Sequence, residues 1–128
     1  MTRIQPRETV VLAGDVASLA AWYRETLGFR TVREFTDGFH YVNLETDTGI
    51  RLGIASAAEM GVAPGDRSSN TVVLQFQVGD VKAFLAGVEA GGGRVTLTPT
   101  RNEKDGFWFG GFADPEGNPF WVVDENCP

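Results

Sequence analysis

The chain has a single cysteine, Cys127, and a single histidine, His40. One cysteine excludes an internal disulfide framework and fits a reducing, cytoplasmic setting. Near the end of the sequence, Cys127 reads as a surface thiol and not as a nucleophile. With so few soft donors, a thiolate or imidazole metal site cannot be assembled from these residues. His40 alternates with Val42 and Leu44 in a strand-like stretch, which makes it a structural or surface histidine. Long apolar runs are also missing, so no segment matches a membrane span. The first eight residues are polar and hold two arginines, unlike a signal peptide. Positive charge is scarce, with 11 Lys plus Arg against 17 Asp plus Glu. The net charge of −6 argues against a nucleic-acid partner, which needs a basic face. It favours solubility and leaves a cationic small ligand open.

What is present is globular: 42% hydrophobic and 22% charged residues over 128 positions, the size of one compact unit. The stretch from Asp114 to Val123 is the most informative. Asp114 can accept backbone hydrogen bonds, Pro115 fixes φ, and Gly117 can take φ > 0, which is turn chemistry. Asn118-Pro119-Phe120-Trp121-Val122-Val123 then has strand composition. The segment reads as a tight hairpin turn into a final strand.

Along the chain, Thr9 to Ala13 predicts a strand closed by Gly14-Asp15. Asp15 is an N-cap, and Val16, Leu19, Ala20, Tyr23 and Leu27 recur at helical spacing up to Gly28, a C′ glycine. Arg30 to Phe35, Phe39 to Glu45 and Ile50 to Ala55 predict three strands separated by Asp-Gly and Asp-Thr-Gly turns. Residues 56–70 lack a period and read as a linker with one helical turn at Ala57 to Met60. The pattern then restarts: a strand over Thr71 to Val78, a Gly79-Asp80 cap, and a helix over Val81 to Ala90 ended by Gly91-Gly92-Gly93. Strands over Arg94 to Pro99, Gly106 to Ala113 and Asn118 to Asp124 follow.

The two caps, Asp15 and Asp80, are 65 residues apart, and each opens the same series of elements. Such a repeat decides the fold. The expectation is an α+β domain of two tandem βαβββ modules, about 1–55 and 71–128. Their strands would form a curved mixed sheet around a cleft with helices outside.

Asp15 with Leu19, Trp22-Tyr23 and Leu27-Gly28-Phe29, together with Phe112-Ala113-Asp114-Pro115-Glu116-Gly117-Asn118, resembles the vicinal-oxygen-chelate superfamily. That superfamily includes glyoxalase I, extradiol dioxygenases, and the fosfomycin- and bleomycin-resistance proteins. The resemblance implies a homodimer and, in the enzymes, a divalent metal held by His, Glu or Gln from the first and last strands of each module. Carried onto this sequence, those positions are Glu8, Arg51 (or Gly53), Val73 and Trp121. Only Glu8 is a metal donor, so neither a metal nor another cofactor is expected.

Strand alternation points the same way. It puts Val72, Leu74, Phe76 and Val78 toward the second helix and Val73, Gln75 and Gln77 toward the cleft; Arg51 and Trp121 also face inward. Six of the aromatic residues fall between Phe107 and Trp121. Trp121 and Trp108 are the two expected to offer indole faces to a planar ligand or a cation. Glu8 and Arg51 should lie on neighbouring strands. Either they pair as a salt bridge, or Arg51 is free to hold an anionic or carbonyl group.

The candidate ligand-binding residues are therefore Glu8, Arg51, Val73, Gln75, Trp108 and Trp121, with no catalytic residue assigned. Together with the resemblance they imply a non-catalytic protein that binds or sequesters an aromatic or heteroaromatic small molecule. The alternative is an enzyme, either metal-free with Glu8 as general base or with a metal site elsewhere.

Overall fold

Two aspartates start the two helices. In the computed structural model, which describes residues 2–128, the Asp15 carboxylate accepts the Ser18 amide at 3.0 Å and caps α1 (Val16–Leu27). Gly28 ends that helix at φ 78°, the left-handed conformation that a side chain at Cβ would resist. Asp80 caps α2 (Val81–Ala90) in the same way, through the Ala83 amide at 3.0 Å.

The chain forms two compact units, one up to Ala63 and one from Pro64 to Pro128. The first contains β1 (Thr9–Ala13), α1, β2 (Arg30–Phe35), β3 (Tyr41–Glu45) and β4 (Arg51–Ser56). Its sheet runs β1-β4-β3-β2, with β1 parallel to β4 and the other pairs antiparallel. Leu19, Tyr23, Leu44, Leu52 and Ile54 are fully buried between α1 and this sheet. Tyr23 meets Trp22 and Phe29 edge-on at 5.2 and 5.6 Å, so the aromatic residues of the helix stripe are core.

The second unit contains β5 (Leu74–Gln77), α2, β6 (Arg94–Asn102), β7 (Phe107–Ala113) and β8 (Pro119–Val123), in sheet order β5-β8-β7-β6. Phe112 and Phe120 stack at 5.0 Å between centroids, and Phe84 of α2 meets Phe112 edge-on at 5.5 Å. Gly110 lets the helix approach the strand backbone, because a Cβ there would stand 2.6 Å from Leu85 Cδ1. The fold is thus α+β: two βαβββ modules, two mixed four-stranded sheets and two helices.

Three strands differ from the expected spans by more than one residue at an end. β3 starts at Tyr41, and Phe39 stacks instead on Phe35 at 6.1 Å. β5 is shorter than Thr71 to Val78, and Val72 is 83% exposed rather than packed on α2. β5 registers Leu74 with Phe120, which would set Val73 against Pro119, a residue with no N–H for the ladder. β6 continues through Pro99 to Asn102, as an edge strand allows. Both β2 and β6 carry register shifts against their neighbours. The helical turn expected at Ala57 to Met60 is present, with the Met60 amide donating to the Ser56 carbonyl at 3.2 Å. Among the described residues no helix is long and apolar enough to cross a membrane.

Candidate functional site

In the first unit the helix-free sheet face carries a polar cluster. Tyr41 and Asn43 are alternate residues of β3 and point to the same side. The Tyr41 hydroxyl donates to Glu8 Oε2, and Asn43 Nδ2 donates to both Glu8 oxygens at 3.1 and 2.9 Å. Gly53 of β4 makes room for this. A Cβ at that position would collide with the Tyr41 phenol and lie 2.6 Å from Glu8 Oε2. Burial, reinforced by the hydrogen bond and charge of Glu8 and opposed by Arg7, pushes the Tyr41 pKa up to about 12.

Glu8 therefore does not form the salt bridge expected with Arg51. Two neutral donors from β3 satisfy its carboxylate, while Arg51, at the start of β4, is exposed and registers with Glu45. Glu8 and Arg51 do come together along one open depression, with Pro6, Arg7, Thr9 and Gly49. His40, just before β3, is half-buried, and its Nε2 lies 3.0 Å from Glu34 Oε2.

In the second unit the turn after β7 sets the position of β8. Asp114 is buried, and its Oδ1 accepts the Glu116 and Asn118 amides at 2.9 and 3.0 Å. Its Oδ2 accepts Asn118 Nδ2 at 2.7 Å, and Gly117 closes the turn at φ 92°. Arg67 reaches Glu116 Oε1 at 3.0 Å and ties the preceding segment to the turn. β8 then leaves with Phe120 and Val122 facing the core and Trp121 facing away from it.

Trp121 lines a cup of about 340 Å³ on the helix-free face of its sheet. Gln75, its register partner on β5, lies beside it, and Leu97, Phe107, Phe109 and Val123 complete the apolar wall. Asn102 and Cys127 are at the same cup. The indole is 56% exposed, and Phe107 and Phe109 lie 6.0 Å apart, tilted toward each other.

Trp108 is not part of this cup. It shares the parity of Gly110 and Phe112 on β7 and so lies on the α2 side, with Lys82 Nζ 4.2 Å above its ring. There it lines a separate recess of about 280 Å³ with Asp80, Lys82 and Asp124. Val73 immediately precedes β5 and is half-buried. Of the expected ligand residues, the fold thus joins Glu8 with Arg51 and Gln75 with Trp121, and it sets Trp108 on the opposite face of its sheet.

Sequence reasoning missed Tyr41 and Asn43 as partners of Glu8. Their parity with Gly53 was the available signal, since a strand glycine marks close approach by another group. Among the described residues no three His, Cys, Asp or Glu side chains converge. A lone carboxylate already bound by a phenol and an amide, a guanidinium, a valine and an indole are not a donor set for a divalent metal.

The Glyoxalase/Bleomycin resistance protein/Dioxygenase superfamily model matches residues 6–122. The chain belongs to this superfamily. Solved structures with this superfamily fold include a glyoxalase-related enzyme from Fulvimarina pelagi, with a TM-score of 0.72 and 21% identity over 95% of this chain and 89% of that one. A superfamily member from Sphaerobacter thermophilus gives 0.76 and 20% identity over 95% and 98%. A hypothetical protein from S. aureus gives 0.76 and 20% identity over 96% and 95%. At these identities the likeness establishes the fold alone. No curated protein matches the chain.

Proposed function

We propose that this superfamily member binds a planar aromatic or heteroaromatic small molecule in the Trp121 cup, without a metal and without chemical conversion. The observation that carries this reading is a half-exposed indole standing in an apolar cavity of about 340 Å³. That volume falls in the range of about 300–1,000 Å³ typical of small-molecule sites. A large apolar side chain left open to water in a concave setting is more useful as a binding surface than as packing. Stacking on it adds about 0.5–1.5 kcal/mol beyond the area buried.

The enzymatic alternative would use Glu8 as a general base. Three hydrogen bonds from Tyr41 and Asn43 occupy most of the acceptor positions of that carboxylate. A base held this way has little capacity left for a substrate proton, which favours the binding reading.

Quinoline is a suitable probe, and calorimetric titration of wild type, Trp121→Phe and Trp121→Ala tests the reading. Trp121→Phe keeps most of the affinity and Trp121→Ala loses it at least several-fold, since about 1.4 kcal/mol is tenfold. Thermal melting checks that each variant is folded. Equal affinity in a folded Trp121→Ala variant would place the binding surface elsewhere.

A further inference from the structure

The cup described above has an uneven chemical lining. None of its side chains is a carboxylate, an ammonium, a guanidinium or an imidazole. A charged ligand entering it would give up water without meeting a counter-charge. The polar chemistry comes chiefly from two primary carboxamides, Gln75 and Asn102. The Asn102 Oδ1 accepts the Asp105 amide at 2.9 Å, which leaves its NH₂ group as the available donor. Gln75 registers with Trp121 across β5 and β8, so its amide stands beside the indole on the same face. No hydrogen bond within the described residues occupies the Gln75 side chain. It can therefore offer one carbonyl and one NH₂ side by side.

Resting on the binding reading, we infer that the ligand class is an uncharged heteroaromatic with a lactam-type edge. The ring stacks on Trp121, while its neighbouring N–H and C=O pair with the carbonyl and NH₂ of Gln75. Such an edge is complementary to a primary amide through two parallel hydrogen bonds. Phe107, Phe109 and Leu97 enclose the apolar remainder.

Four quinoline probes test this by calorimetry on the intact protein: carbostyril, N-methylcarbostyril, quinaldate and N-methylquinolinium. Carbostyril has the lactam edge, and its N-methyl derivative blocks the donor. Quinaldate is anionic and N-methylquinolinium is cationic. The expected result is that carbostyril binds about tenfold tighter than each of the other three, the scale of one to two net hydrogen bonds. In Gln75→Leu, checked for folding by circular dichroism, the advantage over N-methylcarbostyril falls to near unity. Tighter binding of either charged probe would overturn the inference. So would equal affinity for carbostyril and N-methylcarbostyril in wild type, a comparison that needs no variant. In both cases Trp121-dependent quinoline binding would survive, so the aromatic cup would stand and only the edge would fall. If none of the probes, quinoline included, binds, both readings are wrong.

Discussion

The phenol of Tyr41 occupies the space that a side chain at Gly53 would need, and it uses that space to reach Glu8. One missing Cβ on β4 thus holds together a cluster drawn from β3 and the residue preceding β1. Gly53→Ala should displace the Tyr41 ring and break its bond to Glu8. Overpacking of this kind costs about 1–3 kcal/mol. Chemical denaturation of the variant should show that loss, and an unchanged midpoint would mean that the phenol swings aside freely.

The same cluster predicts an alkaline limit to stability. The Tyr41 pKa is raised to about 12, above its ordinary value of 10.0, chiefly by burial. The folded state therefore holds the phenolic proton more tightly than the unfolded state. The corresponding stability is fully present below pH 10 and is lost as pH rises toward 12. A difference titration at the phenolate absorption band, wild type minus Tyr41→Phe, should show a group ionising near pH 12. Ionisation near pH 10 would mean that Tyr41 is solvated.

Asp114 organises the turn that delivers Trp121. Asp114→Ala removes the acceptors of two backbone amides and of the Asn118 side chain in a buried setting. Stranded donors of this kind cost about 1–3 kcal/mol each, and partial rewetting of the turn limits the total to about 3 kcal/mol. Asp114→Asn, which keeps one acceptor oxygen, should lose less. Equal stability of both variants with wild type, measured in urea, would contradict this account.

The donor chemistry around Glu8 predicts a protein that purifies without stoichiometric zinc, nickel, iron or manganese. Elemental analysis of protein prepared without chelators should find well under one equivalent of each. One tightly bound equivalent would show that a donor set outside the Glu8, Arg51, Val73 and Trp121 positions holds it.

Much of the architecture is legible in local chemistry. Asp15, Asp80 and Gly28 act as caps because a carboxylate one residue before a helix, or a glycine one residue after it, answers the same unsatisfied backbone groups in any context. Strand ends were less legible where they depend on a partner. Thr71 to Val78 keeps one apolar face (Val72, Leu74, Phe76, Val78), yet the ladder begins only at Leu74, because Pro119 offers no donor across from Val73. Pro99 looked like a stop and is not one, because an edge strand can spare an N–H. At the site, alternation separated Trp121 from the core correctly. The partnership of Glu8 was not legible: opposite charge suggested Arg51, but side-chain reach over Gly53 decided for Tyr41 and Asn43. Trp108 is the companion case. Parity with Gly110 and Phe112 put it over Lys82, and clustering of aromatic residues in sequence says nothing about which face each one takes.

The irregular strands β2 and β6 have a consequence for the protein at high concentration. Each is the outermost antiparallel strand of its sheet, and each is broken by register shifts, with Pro99 adding a missing donor in β6. A strand from another molecule arriving at either border would find an interrupted row of amides and carbonyls instead of a continuous template. Runaway sheet extension into fibrils is therefore blocked along these two borders by backbone geometry, independently of salt. The net charge of −6 adds a repulsion that salt can screen.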